Sequence, residues 1–303
     1  MIYDILKRFI GRPVKRFYIF IEDKTKYKNY SRIIKDKEFC KNCLLKQKSF
    51  KENCNNIVTV AMRGSHCDYG FNPECMEETA FNFGLTSMDL FGSYHLYQYI
   101  NNLCPKLKNV IVFYGFFLNG FELSKTREKW RCVYYHDIFN IPYPLNNFLS
   151  SDIKKMQKFY KKIPKIQVDA EPFYGYYTPN ATVYSDAEKR VKGHLKNYNR
   201  SDNGLVYLEK IYQQTKVNRQ NLCVIIPPFR EDYLKNLPED IEKGAISKLV
   251  KIIPENQIYN FLHDGDFNIE DFADTDHLNP YGAKKLSIKI NKILQKLVGD
   301  NND

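Results

Sequence analysis

The sequence predicts an α/β protein: a three-layer α/β/α, flavodoxin-like, doubly wound parallel five-stranded sheet carrying an aromatic-rich insertion. Five short apolar runs recur along the chain, the first of them rich in β-branched residues. Helical patterns separate them. The third run, Asn109–Tyr114, is nearly continuously apolar rather than alternating, as expected of a parallel strand covered on both faces, and five strands with intervening helices argue for one doubly wound parallel sheet.

The first run, Ile57–Met62, leads directly into Arg63-Gly64-Ser65-His66. The second, Thr79–Phe83, ends at Gly84. A helix then extends to Leu103, with Thr86 or Ser87 as its cap and Leu90, Tyr94, Tyr97 and Ile100 on one face. Asn109–Tyr114 is the third strand, and Gly115, Asn119 and Gly120 mark the loop after it. Leu205, Leu208 and Tyr212 outline a helix before the fourth strand, Leu222–Ile226, which Pro227 and Pro228 stop. Ile241, Ala245, Leu249 and Ile252 outline the next helix, and Gln257–Leu262 is the fifth strand. Asn279 caps the last helix and Pro280 suits its first turn; Leu286, Ile290, Ile293, Leu294 and Leu297 continue it to Gly299.

Three segments fall outside this rhythm. Residues 1–55 form a basic N-terminal arm ahead of the 56–299 domain, with 15 Lys or Arg against 6 Asp or Glu in a chain of net charge +11. Such an arm suits an anionic surface, and Met1–Ile21 reads as an amphipathic helix on a membrane, interrupted at Gly11 and Pro13. Residues 124–202 are an insertion rich in aromatics, among them Trp130, Tyr134, Tyr135, Tyr143, Phe173, Tyr174, Tyr176, Tyr177 and Tyr184. An insertion of this length is expected to form a lid or binding surface. Residues 300–303 are a polar tail.

Composition narrows the function classes. At 43% hydrophobic and 15% aromatic over 303 residues, the chain has material for a substantial core. No run approaches the roughly 20 apolar residues of a membrane span. The charges scattered through the first 21 residues do not fit a secretory signal, so a cytoplasmic protein, peripheral at the inner membrane, is expected. No basic run carries the aromatic signature of an RNA-binding module, so nucleic acid is not an expected partner. Cys40-x-x-Cys43, with Cys54 following, is the only metal-like cluster, with Cys67 and Cys75 as the residues that could complete it. Lone pairs of this kind are usually incidental, so no metal is expected.

The chemistry gathers at two places. Ser65 stands just past the first strand, where an open α/β sheet presents its reactive groups. Asp274 and His277 lie on a loop pinned against the final helix, which suits an imidazole held in one orientation. Asp-x-x-His is common by chance, and the spacing alone does not identify a triad.

Taken together, Gly64-Ser65-His66 through Pro73, Asn82-Phe83-Gly84-Leu85-Thr86-Ser87, and Asp274-Thr275-Asp276-His277-Leu278-Asn279-Pro280-Tyr281-Gly282-Ala283 resemble the blocks of the SGNH, or GDSL-like, hydrolase superfamily. The ending is similar to that of members that modify surface polysaccharides and teichoic acids. The resemblance covers Ile57 to Val298. It implies Ser65 as nucleophile, His277 as general base and Asp274 as the group that orients the imidazole. It also implies an oxyanion hole from the N–H groups of Ser65 and Gly84, with Asn119 as a third donor. Arg63 and His66, beside the nucleophile, and Trp130, in the insertion, are the expected substrate contacts. Two departures stand out. Arg63 replaces the first glycine of the family's Gly-Asp-Ser, and Asn119 sits two residues beyond the position of the family's Gly-x-Asn.

The activity implied is that of a serine-dependent esterase or O-acyltransferase working through an acyl-enzyme on Ser65, with no cofactor. Its substrate would be an acylated glycan or glycolipid of a bacterial envelope. The alternative is a catalytically silent protein of this fold that binds a glycan or a partner in polysaccharide biosynthesis.

Overall fold

The computed structural model describes residues 12–26, 30–163, 174–176, 186–198 and 201–299. The chain divides into two compact units, one of residues 1–45 with 123–167, the other of residues 46–122 with 168–303.

The second unit holds the expected α/β/α arrangement. Its strands are β1 (Thr59–Met62), β2 (Ala80–Phe83), β3 (Asn109–Phe113), β4 (Asn221–Ile226) and β5 (Ile258–Asn260). They form one sheet in the order β2-β1-β3-β4-β5, and every neighbouring pair is parallel. This is the flavodoxin-like order. Every residue of β1, β2 and β3 is buried, which accounts for their unbroken apolar pattern. One face of the sheet, built on Ala61, Ala80, Ile111, Phe113, Cys223 and Ile225, packs against Leu286, Ile290 and Leu294 of the closing helix Pro280–Gly299. Helices Leu90–Leu103 and Leu205–Val217 pack on each other.

Several strand ends differ from expectation by one or two residues, and two further differences have a physical reason. The cap of Leu90–Leu103 is Asp89, whose carboxylate accepts from the Gly92 N–H at 2.9 Å. Ser87 cannot serve, because its φ of 59° is left-handed and a capping residue needs extended backbone. The fifth strand is shorter than predicted, since Gln257 closes a 3-10 turn. Asn279 does cap the closing helix, its side chain accepting from Tyr281 N at 2.9 Å and Gly282 N at 3.1 Å.

Order reversal occurs where the chain leaves β1 for β2 on one side and later returns as β3 on the other. A crevice at the carboxyl ends of those strands is the standard ligand position in such sheets. A single residue, Arg63, separates β1 from the helix Gly64–Gly70. Beneath that helix the buried Lys46 ammonium lies 2.8 Å from Asp68 and donates to the Asn82 carbonyl at 3.1 Å. Burial lifts the Asp68 carboxyl above its usual range, against the pull of Lys46. The edge strand β2 is also met by Tyr174, whose carbonyl accepts from Asn82 N at 2.8 Å.

The first unit is helical. Its helix Arg12–Lys26 is tied by an ion pair of Asp23 with Lys129 at 2.9 Å, and Tyr134 donates from its hydroxyl to Ile34 O at 2.5 Å. The expected boundary at residue 55 does not coincide with this division. A continuous helix runs over Lys37–Asn53, and the described residues ahead of it, 12–26 and 30–36, belong to the same compact unit as residues 123–163 instead of standing apart as an arm. The 124–202 insertion is likewise divided between the units. Met1–Gly11, Phe173, Tyr177, Tyr184 and the 300–303 tail lie outside the described residues.

Candidate active site

The strand-to-helix junction that carries Ser65 is unusual in its backbone. Arg63 has φ 90° and Gly64 φ 57°, so two successive residues take left-handed φ values between β1 and the helix. Glycine adopts that region freely, whereas arginine does so at a cost of about 1–3 kcal/mol unless its surroundings hold it. Here they do: Arg63 is 1% exposed, donates from Nη1 to Phe113 O at 3.1 Å, and lies over the Tyr114 ring. The sharp turn presents Ser65 in the first turn of its helix, where backbone N–H groups have no intrahelical acceptor.

The His277 loop is built as tightly. Phe272 and Leu278 form an antiparallel bridge, and Ala273 N donates to His277 O at 2.8 Å. Asp274 folds the loop through one oxygen, which accepts from Asp276 N at 2.9 Å and His277 N at 2.7 Å. Its other oxygen stands 2.8 Å from His277 Nδ1, and His277 Nε2 is 2.7 Å from Ser65 Oγ. Residues 212 positions apart thus complete an Asp–His–Ser relay. The loop is pressed close to the closing helix: a Cβ on Gly282 would lie 2.2 Å from Asp271 O.

A second acid, which the sequence reading passed over, lies beside this relay. Asp276 is 1% exposed, and Arg190 grips it with parallel bonds, Nε to Oδ1 and Nη2 to Oδ2, each 2.9 Å. His66 Nε2 is 3.3 Å from Asp276 Oδ2, and His194 Nε2 and His277 Nδ1 are each 4.0 Å from its oxygens. His66 also stacks on His277, with ring centroids 4.8 Å apart. His194 stacks on Phe117 at 3.7 Å and shares a 2.6 Å hydrogen bond with the Tyr233 hydroxyl.

The electrostatics follow from burial and from this one carboxylate. Burial alone would lower the His277 pKa, but the Asp276 charge and the Asp274 hydrogen bond raise it above the ordinary 6.5. His66 falls below 6.5 because burial outweighs Asp276, and His194 falls well below for the same reason. For Asp276, burial works upward, yet the surrounding His277, His66 and Arg190 hold it well below the usual carboxylate range. Asp274 is lowered too, its bond to His277 prevailing over burial.

Of the other expected site residues, one stands at the relay and the rest do not. His66 sits at the relay, with its ring turned to Asp276. Arg63, expected as a substrate contact, is buried, with its Nη1 on the Phe113 carbonyl and its guanidinium over the Tyr114 ring. The Gly84 N–H, expected in the oxyanion hole, donates to Asn82 Oδ1 at 2.8 Å. Asn82 is a hub, donating from Nδ2 to Cys67 O at 2.9 Å and Phe71 O at 2.6 Å. Glycine is required at 84 for packing, because a Cβ there would lie 2.2 Å from Asp68 N. Asn119 is tied by its side chain to the Tyr114 hydroxyl and to Asp202. Trp130 is 2% exposed in the core of the first unit, edge-on to Phe39 and Tyr134.

His66, Asp276 and His277 place ligand-type atoms within 4.8 Å of one another. They suit a proton network better than a metal. Both Asp276 oxygens accept from a guanidinium, and His277 Nε2 is directed at Ser65. Among the described residues no three cysteines gather; Cys40 and Cys43 are buried on one helix. No protein-family model matches the chain, and no curated protein matches it.

Proposed function

We propose that this protein is a serine-dependent ester hydrolase or O-acyltransferase, with Ser65 as nucleophile. The observation that carries the reading is the unbroken hydrogen-bonded line from Asp274 through His277 to Ser65. A serine hydroxyl attacks an ester only when an adjacent base takes its proton, and that base works best when a third group holds it. In this reading Ser65 Oγ bonds to the ester carbonyl carbon while its proton passes to His277 Nε2. The tetrahedral oxyanion meets the Ser65 N–H at the positive end of its short helix. His277 then protonates the departing alcohol, leaving an acyl-enzyme. Water or a sugar hydroxyl reverses the sequence and frees Ser65.

The substrate class we assign is an acylated glycan or glycolipid of a bacterial envelope, on the strength of the sequence blocks that end in His277-Leu278-Asn279-Pro280. The compartment we assign is the cytoplasm, at the inner face of the membrane. Its support is that the eight cysteines are free thiols, as a reducing compartment would keep them.

A second reading has one specific observation behind it. Gly84 and Asn119 both direct their donors elsewhere, so a silent protein that binds a glycan without cleaving it is the rival. Fluorophosphonate labelling separates the two. The enzyme reading expects adduct on Ser65, lost in Ser65→Ala and weakened in His277→Ala. A wild-type chain that takes no label and turns over no p-nitrophenyl acetate would favour the silent protein.

A further inference from the structure

The helix Arg12–Lys26 is amphipathic in an inverted sense. Val14, Phe17, Tyr18 and Ile21 recur at i, i+3, i+4 and i+7, the spacing of one helical face. In a helix of a water-soluble unit that face normally packs inward. Here it is turned out: Val14 is 46% exposed, Phe17 63%, Tyr18 39% and Ile21 41%, with Phe20 beside them at 45%. The inward side carries Ile19, 3% exposed, and Asp23, whose carboxylate is held by Lys129.

The charges are sorted in the same direction. Asp23 is buried and Glu22 half-buried, whereas the cations Arg16 and Lys24 are exposed along the border of the apolar stripe. The Lys24 ammonium sits 5.1 Å over the Phe20 ring, which keeps the charge beside the apolar side chains. A face that offers aromatic and aliphatic groups at its centre and cations at its edge matches one occupant well. In an anionic bilayer, acyl chains take the former and lipid phosphates the latter.

We propose that this outer face of Arg12–Lys26 is a docking surface for an anionic lipid bilayer, the helix lying in the interface with Phe17 and Ile21 inserted. The apolar centre favours lipid over any purely electrostatic partner. The proposal is independent of the chemistry at Ser65. A protein of the proposed activity would thereby be concentrated where a lipid-linked substrate resides.

The test is co-sedimentation of the full-length chain with vesicles of equal parts phosphatidylcholine and phosphatidylglycerol, against vesicles of phosphatidylcholine alone. The expected result is binding to the anionic vesicles that weakens with added salt. Phe17→Ser with Ile21→Ser should weaken it by about tenfold or more, since two inserted side chains are lost. Arg16→Glu with Lys24→Glu should reduce both the binding and its salt dependence. These positions are exposed, so the circular-dichroism melt of every variant should match the wild type, and a matched melt makes a binding loss interpretable. Failure to bind anionic vesicles, or variants that bind like the wild type, would overturn the proposal. Self-association of the wild type that Phe17→Ser with Ile21→Ser abolishes would overturn it too, assigning the stripe to a second copy of the chain.

Discussion

Arg190 holds Asp276 through two parallel N–H···O bonds of 2.9 Å, joining a helix of the insertion to the loop that carries His277. Such a bidentate pair fixes orientation as well as charge. In the proposed mechanism Asp276 acts as a positioning residue: its carboxylate stands 3.3 Å from His66 Nε2 and 4.0 Å from His277 Nδ1.

Ser65→Ala should abolish p-nitrophenyl acetate turnover while leaving the thermal melt unchanged, because Ser65 is half-buried and loses a single hydrogen bond. Asp274→Asn should fall by about a thousandfold or more in kcat, since an amide cannot hold the imidazole in the reactive tautomer. Steady-state kinetics of both variants check this. Turnover in Ser65→Ala equal to the wild type would remove Ser65 from the mechanism.

The pH–rate profile should report Asp276. A general base works when unprotonated, and the raised His277 pKa sets the acid limb of kcat/KM above the ordinary histidine value of 6.5. In Asp276→Asn the negative charge is gone and burial still lowers the pKa, so that limb should move to lower pH. A merely structural role for Asp276 would lower the rate without moving the limb.

Acid should destabilise the fold before the carboxylates titrate. His66 and His194 have folded pKa values below 6.5, so as pH falls through that value the unfolded chain takes up protons that the native one refuses. His277 acts oppositely: its raised value adds stability below 6.5 that is lost as pH rises through the folded pKa. His194 is displaced well below its ordinary value, so its contribution sets the expected sign. Urea unfolding should therefore show lower stability at mildly acidic than at neutral pH, and His194→Gln should flatten that slope.

Two glycine substitutions should differ in sign. Gly282→Ala forces a Cβ to 2.2 Å from Asp271 O, and should destabilise by about 2 kcal/mol or more while loosening the His277 loop. Gly193→Ala in the helix Ala187–Tyr198 meets nothing within 4 Å and should stabilise by about 0.5–1 kcal/mol. Denaturant midpoints measure both.

Cys67, two residues from Ser65, should resist iodoacetamide in the native protein. Burial lifts its thiol well above 9.0, so almost no thiolate exists at neutral pH. Mass spectrometry of the alkylated native protein is the check. Prompt modification would mean that the Asn82 hub opens.

The sheet was legible because a parallel strand covered on both faces has to be a continuous apolar run, and Ile57–Met62 and Asn109–Tyr114 are such runs. The pairing of Ser65 with His277 was legible only through the blocks that resemble a known superfamily; the helix start at Asn279-Pro280 showed a pinned loop without showing its partner. Direction of donors was not. Nothing in the string Asn82-Phe83-Gly84 says that the glycine N–H turns back to the asparagine. The Arg190–Asp276 pair was hidden by distance, 86 residues of chain separating partners that only the tertiary fold brings together. Trp130 shows the ambiguity of aromatics: a ring suited to stack on a sugar is equally suited to fill a core, and here it fills one.

The guanidinium clasp also couples two distant parts of the chain. Arg190 comes from the helix Ala187–Tyr198 of the insertion, so any remodelling of that helix that moves the guanidinium changes the field felt by His277. A graft that exchanged the rest of the insertion while sparing Arg190 would alter the surroundings of Ser65 and leave that field in place.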